Sequence, residues 1–268
     1  MPDQTADPAR KHPLRSSKQD VRAARLIPDT PQTRAPTYRL AFADPEFLTR
    51  EELRPVRLQL ELLKPEMALD AEGIESTIVL FGGARIREGQ GDLGHYYAEA
   101  RRFAAQITAR SMAAGGTHDV IITGGGPGVM EAGNRGAVDA GGRSIGLNIV
   151  LPHEQAPNGY VTPELCFNFH YFAVRKMHFL MRARAVCVFP GGFGTLDEMF
   201  ESLTLIQTRR MAPIPFVLFG RAFWERIINW DALAEAGLIA PEDLKLFTFV
   251  ETAEEALAAI DSWGAAAS

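Results

Sequence analysis

The sequence predicts an α/β fold: a doubly wound, mainly parallel sheet of Rossmann-like type with an N-terminal helical extension. Three observations carry this expectation. From Thr77 onward, short β-branched runs alternate with longer stretches of helical periodicity, the pattern of βαβ units. Glycine clusters fall where those runs end, and sheets of this kind bind ligands beyond the carboxyl ends of their strands. At 268 residues the chain has room for one large domain with extensions, so a single core is expected.

In chain order, residues 1–37 hold six prolines and seven Lys/Arg against four Asp, a net +3, with no apolar periodicity. They read as a disordered polar tail. Since the whole chain carries −5, the remainder carries −8 and is distinctly acidic. Residues 38–73 read as the helical extension. Between Asp44 and Met67, apolar residues recur at helical spacing (Phe47, Leu48, Leu53, Val56, Leu60, Leu63), with Arg54, Arg57 and Lys64 interspersed. This is the pattern of a helix packed on the main domain with a solvated face.

Residues 74–268 read as the Rossmann-like domain. Its strands are expected at Thr77 to Gly83, Asp119 to Gly126, Arg143 to Val150, Leu165 to Phe169, Ala185 to Phe189, Ile214 to Phe219 and Leu246 to Val250. Helices are expected near Gly94 to Ala114, Gly128 to Ala140, Val174 to Arg184, Gly194 to Thr208, Ala222 to Ala236 and Ala253 to Ser262.

Composition narrows the function. The longest apolar stretches are strand-length, so no membrane span is expected. The N-terminus lacks an apolar signal core, and Cys166 and Cys187 sit among apolar residues without CxxC spacing. A reducing, cytoplasmic setting follows as the expectation. The acidic balance argues against nucleic-acid binding through a broad basic surface. No metal or cofactor is expected. The six histidines are scattered without a zinc-hydrolase pairing, and His170 and His178 read as aromatic-core or surface residues. No GxSxG elbow is present, and neither cysteine has a recognisable base partner.

Three glycine clusters remain. FGGAR (Phe81 to Arg85) ends the first strand, and its Arg85 could meet an anion. TGGGPGVME (Thr123 to Glu131) puts Gly124, Gly125, Gly126 and Gly128 between a strand and a helix start, where unpaired N–H groups favour anions. It lacks the Lys-Ser/Thr of a P-loop, and Val129 occupies the last glycine position of a dinucleotide fingerprint. FPGGFGTLDEMFE (Phe189 to Glu201) is the sharpest. Pro190, Gly191 and Gly192 turn the chain, Gly194 lets backbone approach a ligand, and Thr195 is positioned to cap the helix. Glu198 and Glu201 follow at one-turn intervals on the face of Thr195. Carboxylates in a helical first turn also complement the macrodipole, so Asp197 and Glu198 have a purely structural explanation as well. The basic counterpart is Arg175-Lys176 in FHYFAVRKMHF (Phe169 to Phe179); an arginine amid aromatic and aliphatic residues calls for a paired anion.

GGGxxGxME at Gly124 to Glu131, the pair Arg175-Lys176, and PGGxGTxxE at Pro190 to Glu198 stand in the order and spacing of one family. The chain resembles the Lonely Guy (LOG) family of cytokinin-activating enzymes and its bacterial relatives, long labelled lysine decarboxylases. The resemblance spans about Ile74 to Ile260, and LQLELLKPE (Leu58 to Glu66) resembles the N-terminal extension of longer bacterial members. It implies hydrolysis of a nucleoside 5′-monophosphate (AMP or an N6-modified AMP) to free base and ribose 5-phosphate. It implies Arg175 and Glu198 as the catalytic pair. It makes the Gly124 to Gly128 loop and Gly192, Phe193, Gly194 and Thr195 phosphate and ribose binders, with Gly191 and Lys176 beside them. Thr204 and Glu154 match substrate-contacting positions, while Gly83 stands where many relatives have Ser. A homodimer or higher homo-oligomer is also implied.

Cleaving a ribosyl C1′–N bond builds positive charge on the sugar, which a carboxylate near C1′ stabilises; Glu198 fits that part. Arg175 is permanently protonated and suits pairing with phosphate, with Glu198 or with the departing base. The competing expectation is a non-catalytic nucleotide sensor on the same fold, which needs the glycine cradle but no carboxylate aimed at the sugar. A dehydrogenase would need the missing fingerprint. Lysine decarboxylation would need a pyridoxal-binding lysine, and no feature singles one out.

Overall fold

The computed structural model describes residues 14–151 and 156–266. By internal contacts the chain divides into two units, one ending at Gln59 and the other starting at Leu60. The first contains α1 (Ser17–Ala24), α2 (Pro31–Arg34) and α3 (Pro45–Leu48). Residues 14–37, expected to be without structure, therefore carry two short helices, and the reason is local. Ser16 with Gln19, and Thr30 with Thr33, form reciprocal capping boxes, while neither helix buries a residue. Asp44 starts α3 by accepting the N–H groups of Glu46 and Phe47. α4 (Arg54–Ala71) begins in the first unit and continues into the second, so the division falls inside the expected extension rather than at its end.

The second unit is built on seven parallel strands: β1 (Thr77–Phe81), β2 (Val120–Thr123), β3 (Ser144–Ile149), β4 (Cys166–Phe169), β5 (Ala183–Val188), β6 (Phe216–Phe219) and β7 (Thr248–Val250). Their order across the sheet is β4-β3-β2-β1-β5-β6-β7, parallel at every pairing. The fold is thus the α/β, doubly wound, Rossmann-like one expected, with no antiparallel member. All residues of β1, β2, β3 and β6 are buried, which explains why their sequences read as continuous apolar runs rather than alternations.

The α-helices after β1 are α5 (His95–Ala113), α6 (Val129–Asp139), α7 (Phe172–Met181), α8 (Phe193–Gln207), α9 (Arg221–Ile227), α10 (Trp230–Glu235) and α11 (Ala253–Ala266). The single helix expected over Ala222 to Ala236 is two. Ile228 is extended, and the side chain of Asn229 accepts the Ala232 N–H to start a new helix. No helix among the described residues is long and apolar enough to cross a membrane.

The chain runs outward from β1 to β4 on one side, then returns beside β1 with β5. That reversal between β1 and β5 is the topological switch point, where the carboxyl ends of adjacent strands diverge and leave a crevice. The first and third glycine clusters follow directly on these two strands, and the second follows β2 next door.

Candidate functional site

The three glycine clusters are joined through backbone bonds at the switch point. The Gly83 N–H donates to Pro190 O (2.9 Å), and the Val129 N–H at the start of α6 donates to Gly83 O (3.3 Å). Gly128 makes the second approach possible. Its φ is +73°, and a Cβ there would lie 2.3 Å from Gly83 O. Two helix N-termini, of α6 and α8, are thereby brought to one rim.

Between them lies a cleft of about 1000 Å³. Gly82 to Arg87, Gly124, Gly126, Pro127, Pro190 to Thr195, Arg175 and Glu198 line it, with Met130, Asn148, Phe172 and Phe223 on its walls. The first N–H groups of α8, at Phe193, Gly194 and Thr195, have no carbonyl within the helix to pair with, which makes this rim electropositive. Helix α8 starts at Phe193, one residue earlier than expected, with Gly192 as its N-cap and no side chain capping it. Thr195 is therefore not the cap. It lies in the first turn, buried, with its side chain over Gly191, leaving no room for a Cβ at that glycine.

At the floor Arg175 is 7% exposed. Its Nε donates to Leu147 O (2.7 Å) at the end of β3, and its Nη1 to Glu198 Oε1 (3.1 Å). The guanidinium carbon stands 5.0 Å from the centre of the Phe179 ring. Burial drives the Glu198 carboxyl pKa up to about 7, against the lowering pull of Arg175 and with added repulsion from Asp197. A carboxyl group titrating near neutrality beside a fixed cation can serve in either protonation state at physiological pH.

The expected site residues are partly dispersed. Gly124, Gly126, Gly191, Gly192, Phe193, Gly194, Thr195, Arg175 and Glu198 line the cleft. Gly125 and Gly128 do not line it but shape its wall. The Gly125 carbonyl accepts from the N–H and side-chain Nδ2 of Asn158, while its own N–H donates to Thr123 Oγ1. Lys176 does not enter the cleft. Its Nζ pairs with Glu201 (2.8 Å) and Asp197 (3.3 Å), so Glu201, expected to share the face of Glu198, is held by this lysine instead. Burial alone disfavours the Lys176 charge, yet these two carboxylates raise its pKa. Thr204 lies away from the cleft two turns beyond Thr195, its hydroxyl donating to Phe200 O (2.7 Å). Glu154 falls outside the described residues.

Sequence reasoning did not single out Phe172, Asn148 or Phe223. For Phe172 a signal existed: it precedes Arg175 by three residues and so shares its helical face. Asn148 and Phe223 reach the cleft from other elements, which no local pattern reveals. No group of three His, Cys, Asp or Glu among the described residues could hold a metal ion.

Fold and cleft together define an α/β protein with a cleft at the switch point of a parallel sheet, floored by the Arg175–Glu198 pair. The family model described as "Possible lysine decarboxylase" matches residues 130–260. A probable cytokinin riboside 5′-monophosphate phosphoribohydrolase, LOGL5 of Oryza sativa subsp. japonica, is 23% identical over 176 residues, covering 65% of this chain and 68% of the relative. Among solved structures, the structural-genomics target TM1055 aligns at 20% identity and a TM-score of 0.50, over 70% of this chain and 99% of its own. A molybdenum cofactor binding protein from Rippkaea orientalis aligns at 19% identity and a TM-score of 0.50, over 70% and 96%. The chain is thus similar to the matched family over residues 130–260, and it shares the fold of TM1055. Among the described residues no lysine lines the cleft, and Lys176, beside Arg175 in sequence, is engaged by two carboxylates.

Proposed function

We propose that this protein hydrolyses the N-glycosidic bond of a nucleoside 5′-monophosphate, AMP or an N6-modified AMP, to free base and ribose 5-phosphate. The observation that carries the reading is the buried Arg175–Glu198 pair on the floor of a glycine-rimmed cleft. A helix N-terminus with open N–H groups suits a phosphate, and a carboxylate within the same cleft suits the positive charge that develops at C1′. The distant relative named as a phosphoribohydrolase points the same way.

In this mechanism the C1′–N bond breaks and its electron pair leaves with the base. The ionised Glu198 stabilises the cationic sugar and accepts a proton from the water whose oxygen bonds to C1′. The base takes up a proton, so that one water is divided between sugar and base. Arg175 keeps the carboxylate oriented and favours its charged form. Phe172 and Phe193, exposed aromatic residues in the lining of the cleft, suit contact with a nucleobase.

The experiment is a panel of nucleoside 5′-monophosphates, with and without an N6-isopentenyl group, incubated with the protein and analysed for released base. Release from at least one adenine nucleotide supports the reading. Binding without release favours the nucleotide-sensor alternative. A homodimer is part of the proposal and is checked by mass measurement in solution.

A further inference from the structure

Helix α7 carries Arg175, yet its N-cap residue Tyr171 supplies no side-chain cap. The cap comes from α4. Glu61 Oε1 accepts the His170 N–H (2.8 Å) and Glu61 Oε2 accepts the Tyr171 N–H (3.1 Å). These are the N–H groups of the N-cap residue and of the residue before it, so the carboxylate fixes the chain where it enters α7 and complements the positive end of the helix dipole.

Two further contacts extend the grip along α7. Pro65 lies inside α4 and has no N–H, which leaves the carbonyl of Glu61, four residues earlier, without its helical donor. His178 Nε2 supplies the bond (3.2 Å), and its Nδ1 stands 3.4 Å from Glu66 Oε1. At the other end Arg182, the C-cap of α7, reaches Glu66 Oε2 (2.9 Å) and Asp70 Oδ1 (2.7 Å) and also donates to Ile74 O. Acidic side chains of one helix thus engage the start and end of the other, and a backbone carbonyl of the same helix engages its middle. A helix packed only by apolar contact would need none of these directional bonds.

We propose that Glu61 is a positioning residue: by capping α7 it holds Arg175 against Glu198. The proposal rests on the reading of that pair as the reacting centre. The connection is short. Glu61 fixes the Tyr171 N–H, the Tyr171 carbonyl accepts the Arg175 N–H (3.1 Å), and Arg175 Nη1 meets Glu198 (3.1 Å). Removing the cap frees the first turn of α7 and with it the guanidinium.

The test is the titration of the Glu198 carboxyl by carbon-13 NMR in the full-length, ligand-free protein, comparing wild type with Glu61→Ala and Glu61→Gln. The charges that act on Glu198 are Arg175, Asp197 and Lys176; of the two cations carried by α7, only Arg175 touches the carboxylate, while Lys176 is held by Asp197 and Glu201. With Arg175 displaced, the desolvated carboxyl loses its nearest favourable charge and titrates higher by about one pH unit or more in Glu61→Ala. Glu61→Gln, whose amide oxygen can still accept one N–H, shifts part of the way. Where activity is present, turnover falls at least ~10-fold in Glu61→Ala with KM changed less, as misplacement of a reacting group predicts. A merely structural role lowers thermal stability but leaves the Glu198 titration of the folded variant unmoved, and that result overturns the proposal. Should Glu61→Ala fail to fold, an unshifted titration in Glu61→Gln overturns it equally. Because the titration needs no substrate, a wild type that releases no base counts against the proposed function alone.

Discussion

A Cβ on Gly124 would stand 2.6 Å from Nη2 of Arg175, closer than such atoms come to a neighbour. The second glycine cluster thus does more than turn the chain after β2: its first glycine leaves the space the guanidinium occupies. Gly124 has no left-handed φ, so alanine is compatible with its backbone. Gly124→Ala is expected to displace Arg175, lowering base release by ~10-fold or more through misplacement of the pair. Circular dichroism should show the fold retained. A variant with wild-type kinetics would mean that Arg175 does not act from this position.

The pH dependence of kcat/KM follows from Glu198. The mechanism uses its carboxylate, and burial raises the pKa to about 7. Activity should therefore climb as pH rises through neutrality, tenfold per unit on the acid side. A profile that stays flat from about pH 6 to about pH 8, or falls, would remove Glu198 from the role of base.

Stability should run the other way. A carboxyl whose folded pKa lies above its unfolded one favours the fold while protonated, fully so below the unfolded value. That contribution is lost as pH rises through about 7, with an upper scale on the order of 3 kcal/mol. Glu198→Gln, which keeps an acceptor for Arg175 and cannot ionise, should gain thermal stability relative to wild type at alkaline pH and match it below the ordinary carboxylate range. Equal melting temperatures at both ends would show that the carboxylate is not strained by burial.

Phe193 is 92% exposed although it lies on the rim of the cleft in the first turn of α8. A large apolar ring left in water contributes little to the fold. Phe193→Ala should leave the melting temperature unchanged while raising KM several-fold, a loss of ~1 kcal/mol of ring stacking. A drop in stability with unaltered KM would assign the ring to packing instead.

Much of this was legible from residue patterns. The strands were, because buried parallel strands are continuous apolar runs with little else to imitate them. The glycine clusters were, because each sits at a strand end where only a turn or a ligand needs such backbone. What failed was mostly tertiary. Lys176 adjoins Arg175 in sequence, but successive helical residues point about 100° apart, so only one of them faces the cleft. Thr195 was misplaced because α8 begins at Phe193, one residue before the expected start, with its N-cap at Gly192; such shifts are the usual weakness at helix ends. The link between α4 and α7 joins residues about a hundred positions apart, beyond any local period. One hint was present: Pro65 inside a helical pattern frees the carbonyl of Glu61 and so demands an outside donor, which His178 provides.

The central claim is that Glu198 acts on the bond between sugar and base. Its most direct test is the rate of free adenine release from AMP, or of the N6-modified base from its nucleotide, by wild type and by Glu198→Gln, with nucleotide binding measured alongside. The account predicts release by wild type and a loss on the order of 100-fold or more in the variant, with binding retained. Release at the wild-type rate by Glu198→Gln would contradict it, as would a wild-type protein that binds every nucleotide in the panel and cleaves none.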